Sequence, residues 1–135
     1  MITIKRTTRL PNFVNESDWF VVRAVNSGHD KAGLMIKNDL VRRLTTGKRT
    51  GRIYGSHQAS AAGEYPAKMT GKLAESVKIE NSNLRLTIGE AADYAQYLEI
   101  GTAKMAARPH LRPSVEGNMP NVIKIVSQEL DKLFK

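Results

Sequence analysis

Apolar side chains recur at intervals of three and four over residues 18–44. Trp19, Val22, Ile36, Leu40 and Leu44 share one stripe, the spacing of an amphipathic helix. Asn15 or Ser17 can cap its start, and Glu16 and Asp18 suit the positive end of its dipole. One long helix is expected, in which Gly28 and Gly33 each cost about 1 kcal/mol relative to alanine and leave room for a bend or break near His29. A second stripe, Leu111, Val115, Met119, Val122, Val126, Leu130 and Leu133, predicts a long helix over residues 109–134. Pro109 suits its first turn, and Pro120 is expected to disturb it near residues 117–120.

Between these helices the period changes to two. Val77-Lys78-Ile79-Glu80 and Leu84-Arg85-Leu86-Thr87-Ile88-Gly89 alternate apolar with polar around a turn at Asn81-Ser82-Asn83. That pattern predicts an antiparallel hairpin with one buried and one wet face. Two strands are marginal alone, so the hairpin must pack on the helices or join a larger sheet. A short strand at residues 2–4 would stop before Pro11. A short helix capped by Thr70 precedes the hairpin, and another over residues 91–100 follows it, stopped by Gly101. Residues 45–71 have no periodicity and contain five glycines and one proline, far longer than an ordinary connector of about 4–6 residues. The expected architecture is α+β: two long helices packed on a small antiparallel sheet, with a long extended loop.

Composition narrows this to one domain over residues 1–135, since the length is 135 residues with 41% apolar and 25% charged side chains. The chain has no cysteine, which removes disulfides and thiolate metal sites. No run approaches the ~18 apolar residues of a spanning helix, and no apolar leader is visible, so no membrane partner is expected. The net charge of +8 is lopsided: residues 1–55 hold 11 basic and 4 acidic side chains, the remainder 10 and 9. Five of the positive charges, Arg42, Arg43, Lys48, Arg49 and Arg52, fall within eleven residues at the start of the loop. They read as a basic contact arm for an acidic partner, either nucleic acid or another protein subunit.

Reactive constellations are harder to find. Gly47-Lys48 and Gly71-Lys72 lack the preceding glycine of a phosphate-binding loop. His29, His57 and His110 are separated from one another, with no metal-ligand spacing. Ser56-His57 and Ser60 sit in a glycine-rich segment with no rigid support for a nucleophile and base. Glu90, Asp93 and Glu99 read as solvated or capping groups. No catalytic residue, cofactor site or metal site is expected. What does stand out is a shape-setting stretch: the helix stop at Gly101, then Arg108, Pro109 and Arg112 at the mouth of the last helix. The two arginines, four residues apart, are placed to face one carboxylate such as Glu99.

Residues Tyr94-Ala-Gln-Tyr-Leu-Glu-Ile-Gly-Thr102, followed by Lys104-Met105-Ala106-Ala107-Arg108-Pro109-His110-Leu111-Arg112-Pro113, resemble the signature of a neck or tail-component family of tailed bacteriophages. Upstream, Ser60-Ala61-Ala62-Gly63-Glu64-Tyr65-Pro66 and Thr70-Gly71-Lys72-Leu73 are similar to that family's Ser-x-Pro-Gly-x-x-Pro and Thr-Gly-x-Leu. The likeness spans residues 40–115, with Ala62 where the family often has proline and His110 where phenylalanine is common. It implies a non-enzymatic virion protein of the siphophage head–tail junction, made in the host cytoplasm. Such a protein forms a homo-oligomeric ring, typically a hexamer, through which genomic DNA passes. Its neighbours would be the head-completion or stopper protein, the tail terminator and the tail tube. On this reading Tyr94, Tyr97, Glu99, Gly101, Thr102, Arg108, Pro109 and Arg112 fix a helix junction and present an interface. Hairpins of adjacent subunits would then extend one sheet. The alternatives are a tail terminator capping the tail tube, a small basic DNA-binding protein, and, from a different class, a hydrolase or nuclease with a clustered metal site.

Overall fold

A computed structural model describes residues 2–7, 19–46, 49–68, 70–82 and 84–134. The capping residues 15–18 and Lys48 lie outside the described residues. In chain order the elements are β1 (Ile2–Thr7), α1 (Trp19–Thr45), β2 (Ile53–Tyr54), β3 (His57–Gln58), α2 (Lys72–Glu75), β4 (Val77–Ser82), β5 (Arg85–Glu90), α3 (Ala95–Ile100) and α4 (Leu111–Asp131), closed by a 3₁₀ turn, Lys132–Phe134.

The hairpin does join a larger sheet. β5 is its central strand, flanked antiparallel by β1 and β4, with Ile4 and Ile79 both opposite Ile88. The turn is tighter than the asparagine cluster implies, because β4 runs to Ser82 and Leu84 takes a left-handed φ of 61°. Val77, Leu86 and Ile88 are buried on one face while Lys78, Glu80 and Arg85 face solvent, as period-two alternation requires.

α1 and α4 run antiparallel across that buried face. α1 contributes Val25, Ala32, Ile36, Leu40 and Leu44, and α4 contributes Leu111, Val115, Val122 and Val126. The long helix expected over residues 18–44 runs continuously through both glycines. A Cβ on Gly28 would lie 2.9 Å from the Val126 Cα, and one on Gly33 would lie 3.0 Å from Leu86 Cδ1. The two glycines therefore mark where α4 and the sheet approach α1 most closely, so their propensity cost is offset by packing. α4 likewise runs unbroken through Pro120, which lies on the solvent face. Trp19, by contrast, is 64% exposed and no part of the core.

The long loop is anchored to the body. It folds into the β2–β3 hairpin, closed by Gly51 N–H to the Ala59 carbonyl at 2.8 Å. Beyond the hairpin, Gly63 N–H donates to the Ala107 carbonyl at 3.0 Å, and the Tyr65 hydroxyl meets Ser114 Oγ at 2.8 Å. The two main-chain bonds satisfy backbone groups that helix or sheet would otherwise have paired.

Candidate functional site: a helix junction beside an apolar groove

Residues 94–113 form the junction. α3 is shorter than expected, and it ends at Gly101 with φ 77°. A Cβ there would sit 2.8 Å from the Ala107 nitrogen and 3.0 Å from the Met105 carbonyl oxygen, so only glycine fits. The chain then doubles back: Thr102 N–H donates to Met105 O at 2.8 Å, and Arg108 N–H to Leu98 O at 2.6 Å.

Glu99 does something the arginine spacing does not suggest. Its Oε2 accepts the backbone N–H groups of His110 and Leu111 at 2.9 and 3.0 Å, and its Oε1 accepts that of Arg112 at 3.0 Å. One carboxylate from α3 thus caps α4, where unpaired donors and the positive dipole end coincide. The expected arginine clamp on Glu99 is corrected accordingly. Arg112 offers only its main chain, and its side chain is exposed. Arg108 sends Nε and Nη2 to the Ser60 carbonyl at 3.2 and 3.0 Å, tying the long loop to the junction. Pro109 is half-buried between the two.

His110 is the residue that spacing alone did not mark. Its ring is fully buried, with Nε2 2.7 Å from Glu90 Oε2 and Nδ1 2.9 Å from the Arg108 carbonyl and 3.1 Å from Glu99 Oε2. Each ring nitrogen faces oxygen atoms, and beside ionised Glu90 and Glu99 both nitrogens would donate, an arrangement that favours the imidazolium. Burial alone would lower its pKa, but the hydrogen bond and charge of Glu90, with the Arg108 carbonyl and Glu99 behind them, raise it. Glu90 and Glu99 therefore converge on one ring, while Asp93 stays in solvent. A histidine twenty residues from one carboxylate and eleven from the other carries no local signature. The only hint in the sequence is an ionisable residue where the resembling family favours an aromatic one.

The basic arm is dispersed. Arg42 and Arg43 belong to the last turn of α1, and both bind Asp39, at 2.7 and 3.2 Å. Burial would raise the Asp39 pKa, yet hydrogen bonds from Arg42, Asn118 and Arg43 hold it below the ordinary value. Arg43 also lies over the Tyr65 ring at 5.2 Å. Arg49 donates to the Lys68 carbonyl at 3.1 Å, and Arg52 covers the Tyr54 ring at 5.4 Å. His29 is buried against the sheet, where desolvation lowers its pKa further than Asn81 and Asp30 restore it.

On the outer side of α3, Tyr94, Tyr97 and Ile100 are 42%, 49% and 72% exposed, an apolar row at intervals of three. Beside it opens a groove of about 560 Å³ between the β2–β3 hairpin, α2, α3 and the junction. Leu44, Leu73, Leu98 and Met105 line it, with Tyr54 and Tyr94 among its walls. Among the described residues no carboxylate lines this groove, whereas Lys68, Lys72 and Arg108 do. Ser56 is exposed, Ser60 is buried and His57 half-buried. No cluster of His, Asp and Glu among the described residues has the arrangement to hold a metal ion. No described helix is long and apolar enough to cross a membrane.

No family model, curated protein or solved structure matches this chain.

Proposed function

We propose that the chain is a structural subunit of the head–tail junction of a long-tailed phage or prophage, a neck or tail-completion component assembling as a ring around the DNA path. One observation carries this reading beside the resemblance of the motifs. The separated motif segments lock onto one another: Ser60 with Arg108, Gly63 with Ala107, Tyr65 with Ser114. Together they hold α3 at a fixed angle with its apolar row outward. A scaffold of main-chain caps that presents tyrosines to a neighbour suits assembly. The arginines paired with Asp39 weigh against a basic arm dedicated to DNA.

The test is deletion of the gene from its phage or prophage, followed by electron microscopy of the induced particles. DNA-filled heads separated from finished tails are expected. Tails of irregular length would instead assign the tail-terminator role, and normal particles would refute both. A gel-shift titration against salt addresses the DNA-binding alternative, for which steep salt-dependent retardation by the isolated protein is required.

A further inference from the structure

We infer that the groove beside α3 is the docking site for an acidic segment of a partner protein that carries aromatic or aliphatic side chains. This rests on the reading above only in taking the partner to be a protein.

Three observations point to that occupant. The first is shape. At about 560 Å³ the groove falls within the range of formed binding sites, about 300–1,000 Å³, and its floor of Leu44, Leu73, Leu98 and Met105 is apolar. Tyr54, 57% exposed, and Tyr94 stand at its sides as rigid, amphipathic contact groups.

The second is charge. Lys68 and Lys72 are exposed at the groove, and neither they nor Arg108 forms an ion pair among the described residues. The Arg108 guanidinium is held by the neutral Ser60 carbonyl, which fixes its position while leaving its charge uncompensated. Asp39 and Glu129 meet four exposed cations elsewhere, Arg42, Arg43, Lys31 and Lys132, whereas the groove gathers three cations with no carboxylate among its described lining residues. A carboxylate brought by the partner would complement this cluster. A chain of net charge +8 is a poor source of it, which favours a different protein over a second copy.

The third is polar capacity at the bottom. Ser60 lines the groove, and its hydroxyl, though buried, has no hydrogen-bond partner among the described residues. The same residue's carbonyl positions the Arg108 guanidinium, so unspent polar capacity lies on the residue that fixes this cation.

A library of random linear peptides displayed for selection against the purified full-length chain tests this. Counter-selection uses the double variant Tyr54→Ala/Lys72→Glu, two exposed positions that leave the core and the junction intact. Enriched peptides are expected to combine aspartate or glutamate with phenylalanine, tyrosine or leucine. Synthesised and labelled, such a peptide is expected to bind about tenfold or more weakly to Lys72→Glu and to Tyr54→Ala. Arg108→Gln should weaken it as well, and added salt should weaken it throughout. Circular dichroism melts confirm that each variant is folded. Enriched peptides without acidic residues, no enrichment at all, or affinities unchanged by these substitutions would overturn the inference. Self-association lost on Tyr54→Ala would give the groove to a second copy and overturn it too. Particle imaging after gene deletion is independent of these outcomes, so failure here and failure of the neck assignment are separable.

Discussion

The Glu90 carboxylate on β5 and the His110 ring at the start of α4 meet at 2.7 Å, with neither side chain reaching solvent. This pair joins the central strand to the helix junction, and the Glu99 cap joins the same junction to α3. Both contacts are electrostatic, and both depend on protonation.

Stability should therefore vary with pH in a defined direction. Because folding raises the His110 pKa, its contribution is complete below about pH 6.5, the ordinary histidine value, and is lost as pH rises through the folded value. Thermal melts on the alkaline side should show a falling midpoint. The double variant Glu90→Leu/His110→Phe should lack that component, and an unchanged pH profile would contradict the raised His110 pKa.

Breaking the pair is expected to cost more than replacing it. His110→Phe alone leaves Glu90 as a buried carboxylate without its cation, a loss of about 3–5 kcal/mol. Adding Glu90→Leu should restore most of that. Urea denaturation of the two variants supplies the comparison, and equal stabilities would contradict the geometry.

Glu99→Ala should destabilise by about 1–2 kcal/mol through the lost cap, and Glu99→Gln by less. Both should also lower the His110 titration midpoint, followed by the imidazole proton resonances in NMR. A purely steric role for Glu99 would leave that midpoint where it was.

At Gly101, valine must adopt φ 77° and place its Cβ 2.8 Å from the Ala107 nitrogen. The conformation alone costs about 1–3 kcal/mol, before the backbone moves. Gly101→Val is thus expected to lower the melting temperature and to block particle assembly. Virions forming normally with this change would contradict the assembly role of the junction.

Two helix glycines should respond with opposite signs. A Cβ added at Gly117 would meet nothing within 4 Å, so Gly117→Ala should gain about 0.5–1 kcal/mol of helix propensity. Gly28→Ala drives a methyl against the Val126 backbone, and overpacking of about 1–3 kcal/mol should outweigh the same gain. Denaturant midpoints decide both.

Much of the fold was legible in residue order. The long helices lie within a residue or two of their periodic stretches because the apolar repeat is a local property that backbone geometry converts directly into a buried stripe. The same holds for β4 and β5. The loop was less legible: its hydrogen bonds run from Gly63 to Ala107 and from Tyr65 to Ser114, separations across which no repeat operates. Trp19 fits the helical stripe yet stays exposed, since a stripe fixes a direction and not what covers it.

At the site, sequence determined the residue types and the stop at Gly101, and it marked 94–113 as a junction with tyrosines beside it. Only the tertiary structure decided the pairings: Glu99 to main-chain donors and not to arginines, His110 to Glu90, Arg108 to the Ser60 carbonyl. The reason is physical. Hydrophobic periodicity acts through neighbours a turn or a strand position away, whereas ionised groups find partners only after folding has removed water and brought distant segments within about 3 Å of each other.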